Sequence, residues 1–452
     1  VSTTERGMGL SLRALNRLAG SQLLDRAGMR KPLERALYRG TRSGFRAVGA
    51  TSRSFTAARK LTGPARQAPA RTAELFDLTP DDEQQMLREA IGAFASEQVR
   101  PAALAADGAC ATPPELLAQA AELGIATLGV PEELGGAMAE RSALTGVLVA
   151  EALARGDMSI ACAMLAPGAV ATALGLWGDA EQQATYLPAF TGDDPPAAAL
   201  ALLEPRALFD PLALQTTARR EGGDWVLSGV KALVPRAGEA ELFVIAAATQ
   251  GQGAGPGAGQ DAGQGTRPAL FVVESSTRGL SIEAEPAMGL RAAATGRVIL
   301  EDVRVPATAR LGEGSPEVYR ECVQRSRIAW CALAVGAAQA VLDYTIPYVN
   351  ERVAFGEPIA NRQAVAFGVA DIGIELEGMR LLTYRAAARA DHGRELDREA
   401  ALARRLCAEQ GARIGSEGVQ LLGGHGFVKE HPVERWYRDL RAAGLMEGAL
   451  LV

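Results

Sequence analysis

The chemistry of this 452-residue chain gathers in its last eighteen residues, Arg435 to Val452, which read RWYRDLRAAGLMEGALLV. A charged stretch with Arg435, Arg438, Asp439 and Arg441 gives way to an apolar one that holds a single carboxylate, Glu447. If Leu445, Met446, Ala449 and Leu450 line an apolar pocket around it, they penalise its charged form and make it a stronger base once ionised. Gly448 leaves the backbone beside it accessible. On this stretch alone a solvated glutamate is the more common outcome, so a base at this position requires elements that bury and aim it. Metal chemistry has no comparable signal. Cys110, Cys162, Cys322, Cys331 and Cys407 are scattered, and with His392, His425 and His431 they give no metal-ligand spacing and no disulfide framework.

The elements that must position Glu447 are mostly helical. Hydrophobic residues make up 48% of the chain and aromatics only 5%, so Ala, Leu and Val fill the interior, as in close-packed helices. No apolar run is expected to reach the eighteen or so residues of a membrane span, and the longest candidate, Ile328 to Leu342, reads as a buried helix. The pattern is helical from Phe76 to about Pro195, with a start at Asp81 to Glu83, a second opening at Pro113-Pro114, and further helices over Ser142 to Arg155 and Ala180 to Leu187. Between Pro196 and Pro306 the period shortens. Trp225 to Val230, Leu242 to Ala247, Leu270 to Val273 and Arg297 to Val305 read as strands of an all-β domain. The Gly- and Gln-rich connection Gln250 to Thr266 reads as a surface loop. From Pro316 the chain is helical again, with long periods over Ile328–Val349, Arg362–Asp391 and Leu396–Leu422. The expected architecture is α+β multidomain: a basic arm (1–75), an N-terminal α domain (76–195), a middle β-barrel-like domain (196–312) and a C-terminal helical bundle (313–452).

Charge sets the arm apart. The formal net charge is −6, yet residues 1–75 carry fifteen Lys and Arg against four Asp and Glu, a surplus of eleven positive charges. Leu12, Leu15, Leu18, Leu33 and Leu37 recur at helical spacing there. The arm suits a peripheral membrane or anionic contact, a clamp on its own protein, or an organelle transit peptide. Pro64 to Pro69 reads as its linker. Nothing points to nucleic acid. The cysteine usage fits the cytoplasm, and the initial Val reads as a non-AUG start or a trimmed end.

Seven segments, in this order, resemble the acyl-CoA dehydrogenase family over roughly residues 76–452: VPEELGG (130–136), LLEPRALFD (202–210), SGVK (228–231), EDVRVP (301–306), RVAFGEPIANRQ (352–363), QLLGGHGF (420–427) and RWYRDLRAAGLMEG (435–448). The resemblance implies FAD-dependent α,β-dehydrogenation of an acyl-CoA thioester, with electron-transferring flavoprotein as oxidant and a homo-oligomer, dimer or tetramer, as the working state. The base falls on Glu447. Some members place it instead just before an arginine early in the bundle, where this chain has Ser326 and Arg327, so Glu447 has no competitor. Arg327 and Glu447 are the implied substrate contacts, the backbone N–H of Glu447 serving the thioester oxygen. Arg352, Phe355 and Gln363 match a segment that contacts the flavin dinucleotide of a neighbouring subunit, where the arginine fork suits a pyrophosphate. Gln420, Gly423 and Gly424 match a second dinucleotide contact.

The chain departs from the family pattern in its β domain. Leu203 stands where relatives have a Thr, Leu208-Phe209 replace a Gly-Ser, and Leu233, Val234 and Pro235 replace a Trp-x-Ser/Thr unit that packs on the flavin ring. Proline supplies neither hydroxyl nor N–H, so FAD is expected to bind loosely. The chain also stops five residues after Glu447, where relatives usually continue with another helix, so adenine-side contacts are expected to differ. Two other function classes stay open at this level: a non-catalytic or half-site subunit that needs a partner chain, and a structural acyl-CoA-binding protein held at a membrane by its arm.

Overall fold

Asp81 and Gln84 cap each other at the start of the first helix. The Gln84 N–H donates to Asp81 Oδ1 at 2.8 Å and the Asp81 N–H donates to Gln84 Oε1 at 3.1 Å, which satisfies two amides that the helix cannot pair itself. The computed structural model describes residues 78–136, 141–192, 194–250 and 266–450. The expectations for the basic arm, its linker and the connection over 251–265 therefore lie outside the described residues.

The N-terminal helices are α1 (Asp82–Phe94), α2 (Arg100–Ala109), α3 (Pro114–Glu122), α4 (Ala143–Gly156), α5 (Met158–Trp177) and α6 (Ala180–Tyr186). A five-residue π-helical turn, Ala95–Val99, joins α1 to α2. The Asp157 carboxylate starts α5 by accepting from the N–H groups of Ser159 and Ile160, both at 3.0 Å. It also accepts from Arg435 Nε at 2.9 Å, which ties this helix start to the C-terminal segment.

Here the structure corrects the sequence reading. The twenty residues of α5 contain no charged side chain and are long and apolar enough to span a membrane, as is the 36-residue α7 (Pro316–Glu351). Within the fold, 72% of each apolar window is buried, so both are core helices. A helix buried on every side shows no apolar stripe, which is why periodicity passed over α5.

The middle layer is a seven-stranded sheet: β1 (Ala198–Ala201), β2 (Thr217–Glu221), β3 (Asp224–Val234), β4 (Leu242–Gln250), β5 (Thr266–Glu274), β6 (Leu280–Ala284) and β7 (Gly296–Val305). Its order is β1-β4-β2-β3-β7-β6, with β5 paired to β4. The β1–β4 and β2–β4 pairs are parallel and the others antiparallel. Four of these strands match the expected ones and run longer. The short strands β1, β2 and β6 were not foreseen.

The C-terminal bundle consists of α7, α8 (Gln363–Asp391), α9 (Asp397–Leu422) and the short α10 (Val433–Leu440), with a hairpin of β8 (Val353–Ala354) and β9 (Glu357–Pro358) between α7 and α8. Helices α4 and α7 approach closely because Gly336 has no side chain: a Cβ there would stand 2.2 Å from the Glu151 carbonyl oxygen and 2.9 Å from Ala154 Cβ. Any larger residue at Gly336 would push these two helices apart. The main core is continuous from α1 through α4 and α5 to the bundle and includes Met446, so the final turn packs as part of the interior.

Candidate active site

Three residues of α7, Ser326, Arg327 and Trp330, lie within about one helical turn and all reach Glu447. Ser326 Oγ donates to Glu447 Oε1 at 2.8 Å, and Trp330 Nε1 donates to the same oxygen at 3.2 Å. The other oxygen, Oε2, is buried without a partner among the described residues, and the residue as a whole is 6% exposed. A carboxylate held by one oxygen and unpaired at the other is aimed, with a basic lone pair left for a proton.

The backbone beneath it is held as firmly. Glu447 adopts a left-handed conformation with φ of 58°, and Gly448 follows at 111°. Such a φ costs an ordinary L-residue about 1–2 kcal/mol, so the surroundings must enforce it. Arg404, projecting from α9, donates through Nη1 to the Met446 carbonyl at 2.6 Å and through Nη2 to the Gly448 carbonyl. Arg327 donates through Nε and Nη2 to the Glu447 carbonyl at 3.1 and 2.9 Å. The Ala449 N–H then donates to the Phe209 carbonyl at 2.9 Å. Three successive carbonyls are thus fixed by two arginines. Gly448 is required for close approach, since a Cβ there would stand 2.8 Å from Pro211.

Glu447 opens onto a cavity enclosing roughly 650 Å³ of empty space, measured out to its mouth. Its apolar wall comes chiefly from α5 (Cys162, Leu165, Ala166, Ala169), from Leu202 and Leu203 after β1, and from Leu333 on α7. This differs from the expectation that the neighbours of Glu447 in sequence would form the pocket. Met446 does, but Leu445 is exposed, and Ala449 and Leu450 do not line it. Arg327 is also off the wall, because its guanidinium is spent on the Glu447 carbonyl. Burial pushes the Cys162 thiol up to about 12, and the charges of Asp439 and Glu447 push the same way, so it lines the cavity as a neutral group.

An ion pair behind this wall explains two of the motifs. Lys231, from SGVK, donates through Nζ to Glu204 Oε1 at 3.0 Å and to the Leu202 carbonyl at 3.3 Å. Glu204, from LLEPRALFD, also accepts from the N–H groups of Gln215 and Thr216 at 2.8 and 2.9 Å. Burial pulls the Lys231 ammonium down to about 8 against the opposing influence of Glu204. The pair sets the path of Leu202 and Leu203 along the cavity.

The six residues matched to dinucleotide contacts lie elsewhere, and none lines the Glu447 cavity. Arg352 follows α7, Phe355 sits at the β8–β9 tip with φ of 55° and 94% exposure, and Gln363 begins α8. Gln420, Gly423 and Gly424 stand at the end of α9. The Tyr348 hydroxyl joins the two groups by donating to the Leu422 carbonyl at 3.2 Å, and it lies 2.9 Å from His425 Nδ1. Apart from Phe355, whose ring has the Arg362 guanidinium 5.0 Å from its centroid, these side chains have no partner among the described residues. A Cβ built on Gly423 or Gly424 meets nothing within 4 Å. A free guanidinium, an exposed ring and bare backbone suit a dinucleotide, so FAD fits this edge.

The β-domain face is different. Leu203, Leu233 and Pro235 line the Glu447 cavity, whereas Phe209 is buried away from it, 5.4 Å under the Arg206 guanidinium. The N–H groups of Ala232, Leu233 and Arg236 are already committed to the Leu203 carbonyl, to Glu285 Oε2 and to the Ala293 carbonyl. Leu233 and Pro235 offer a ring apolar contact, and neither has an N–H left to give.

Comparison with known proteins identifies the family. The chain matches the N-terminal domain of acyl-CoA dehydrogenases over residues 81–193, the middle domain over 199–303 and the C-terminal domain over 312–450. It belongs to the acyl-CoA dehydrogenase family of FAD-dependent oxidoreductases. It is 35% identical over 368 residues to the mitochondrial short-chain specific acyl-CoA dehydrogenase of Bos taurus, covering 80% of this chain and 86% of that one. Among solved structures it is similar to butyryl-CoA dehydrogenase from Megasphaera elsdenii, with a TM-score of 0.74, 27% identity, and coverage of 83% and 97% of the two chains. It is also similar to the FAD complex of PigA, with a TM-score of 0.73, 27% identity, and coverage of 83% and 96%.

The sequence reading missed Trp330 and Arg404. Arg404 carries a readable signal, a cation between Ala403 and Cys407 on the apolar face of a helix. Trp330 lies four residues after Ser326, on the same helix face.

Proposed function

We propose that this chain abstracts the α-proton of an acyl-CoA thioester through Glu447 in an FAD-dependent α,β-dehydrogenation. The observation that carries the reading is the Glu447 carboxylate, anchored at Oε1 by Ser326 and Trp330 and unpaired at Oε2 beside an apolar cavity. The cavity excludes water from the acyl group and holds its α-carbon against Oε2. The proton moves to Oε2 while the Ser326 and Trp330 hydrogen bonds keep the other oxygen in place. The Glu447 N–H, without a partner among the described residues, donates to the thioester oxygen as negative charge develops there. FAD, when bound, accepts the β-hydrogen with its electron pair. Arg352 and Gln363 would hold the phosphates and ribose of a neighbouring copy's FAD, with Phe355 packing beside them, and Gln420, Gly423 and Gly424 would supply a second contact to the dinucleotide. The contacts that Ser326, Trp330, Arg327 and Arg404 make to the Glu447 turn favour a catalytic chain over a non-catalytic subunit. Electron-transferring flavoprotein would reoxidise the flavin. All five cysteines are free thiols and four are buried, which suits the reducing cytoplasm.

Anaerobic addition of butyryl-CoA to the FAD-loaded protein tests the reading. Bleaching of the visible flavin absorbance, with appearance of the enoyl-CoA, is the expected result. A flavin that stays oxidised with every saturated acyl-CoA offered would overturn it.

A further inference from the structure

A second cavity adjoins the first. It encloses roughly 930 Å³ of empty space up to its mouth, and Leu165, Ala169 and Ala329 line both cavities. Two of these three shared residues are alanines, and Ala329 is exposed although it sits on a core helix. The wall between the cavities is therefore thin, with Leu165 its only bulky side chain. Beyond it the lining is apolar (Ile125, Leu128, Val147, Ile328) until two guanidinium groups, Arg141 and Arg325.

Those arginines are placed with little compensation. Arg141 makes no ion pair or hydrogen bond among the described residues, and its Nη1 lies 2.9 Å from where a Cβ on Gly175 would stand. Arg325 donates through Nε to Glu321 Oε1 at 2.7 Å, which leaves the outer edge of its fork unused. Asp391, next to the lining residue Ala390, is occupied at the start of α4, where it accepts from Ser142 Oγ and from the Ala143 and Leu144 N–H groups. Burial and then the charge of Arg325 depress the Arg141 guanidinium, a repulsion that an anion between the two would relieve.

Building on the dehydrogenase reading, we propose that the acyl group passes between Ala169 and Ala329 into this second cavity, and that the preferred substrate carries a carboxylate at its far end, bound by Arg141 and Arg325. A helix advances ~1.5 Å per residue, so Ala166 and Gly175 stand about 13 Å apart along α5. A medium-length chain spans that interval. The substrate class is thus the monothioester of a medium-chain dicarboxylic acid with coenzyme A.

The test compares decanoyl-CoA with the coenzyme A monothioester of decanedioic acid on the FAD-loaded enzyme, by calorimetric binding and by kcat/KM. The dicarboxylic thioester should bind about tenfold tighter, in line with a charge-assisted contact at a partly exposed site. Arg141→Gln and Arg325→Gln should each reduce that ratio severalfold, and Arg141→Lys should restore part of it. Ala329→Phe, which narrows the passage, should weaken both long thioesters more than butyryl-CoA. Equal affinity for the two long thioesters, or a preference that survives both glutamine variants, would overturn the proposal. Failure to oxidise any saturated thioester counts instead against the dehydrogenase reading, because the binding ratio is read without turnover.

Discussion

The Glu447 turn and the dinucleotide edge are opposites in one chain. At the turn, three successive carbonyls are fixed by Arg404 and Arg327, and one carboxylate oxygen is fixed by Ser326 and Trp330. At the edge, Arg352, Phe355, Gln363, Gln420, Gly423 and Gly424 are all exposed. The contrast separates two kinds of preorganisation. Proton abstraction needs an angle and a distance that a single chain can lock by burial. The second edge instead leaves the Arg352 guanidinium and the Gln363 and Gln420 amides exposed and without a partner among the described residues.

That contrast is open to attack at several points, taken from the largest expected effect downward. Glu447→Gln keeps the shape and the hydrogen-bond acceptor but removes the base, so turnover should fall by about 10²–10⁴-fold while FAD content is unchanged. Stopped-flow flavin reduction reads it, and a near-normal rate would remove Glu447 from the role. Arg404→Met leaves two buried carbonyls unpaired. It should cost about 2–4 kcal/mol of stability and, by letting the turn drift, about 10²-fold in turnover. Denaturant melting and kcat together check this, and a loss of stability with full activity would show that the turn does not need its clamp.

Arg352→Ala attacks the other region. FAD affinity should drop by about ten- to a hundredfold, since charge-assisted bonds contribute roughly 1.5–3 kcal/mol, and assembly should weaken with it. Light scattering alongside FAD titration would expose a variant that keeps both. The smallest effect is a gain. Leu203→Thr or Pro235→Thr adds a hydroxyl to the apolar β-domain face and should tighten FAD by about two- to tenfold. No change in the titration would mean that the ring does not lie against this face.

The sequence disclosed these two regions unequally. Glu447 and the segments around Arg352 and Gly423 could be singled out because they sit in short contiguous strings. The clamp was not. Trp330 and Glu447 are 117 residues apart, and Arg404 reaches carbonyls, which belong to every residue and leave no mark in a sequence. Helix α5 hid for another reason: burial on all sides removes the periodicity that betrays a surface helix. Strands β1, β2 and β6, four or five residues long, are too short for alternation to register. The pocket around Glu447 was read from its neighbours in the chain, yet its wall comes from α5, the β1 loop and α7, a product of packing.

The left-handed backbone at Glu447 also bears on how such a chain can drift. An L-residue with a long side chain is poorly suited to that φ, whereas glycine accepts it freely. On the proposed reading, the chemistry of the carboxylate holds a glutamate at this position against its own conformational preference. Exchanging Glu447 for Gly would relieve that backbone strain but leave the Ser326 hydroxyl and the buried Trp330 N–H without their acceptor, at a cost of about 1–3 kcal/mol for each buried donor. The gain at the backbone and the loss at the side chain therefore oppose each other, so the same position both stores strain and holds its neighbours in place.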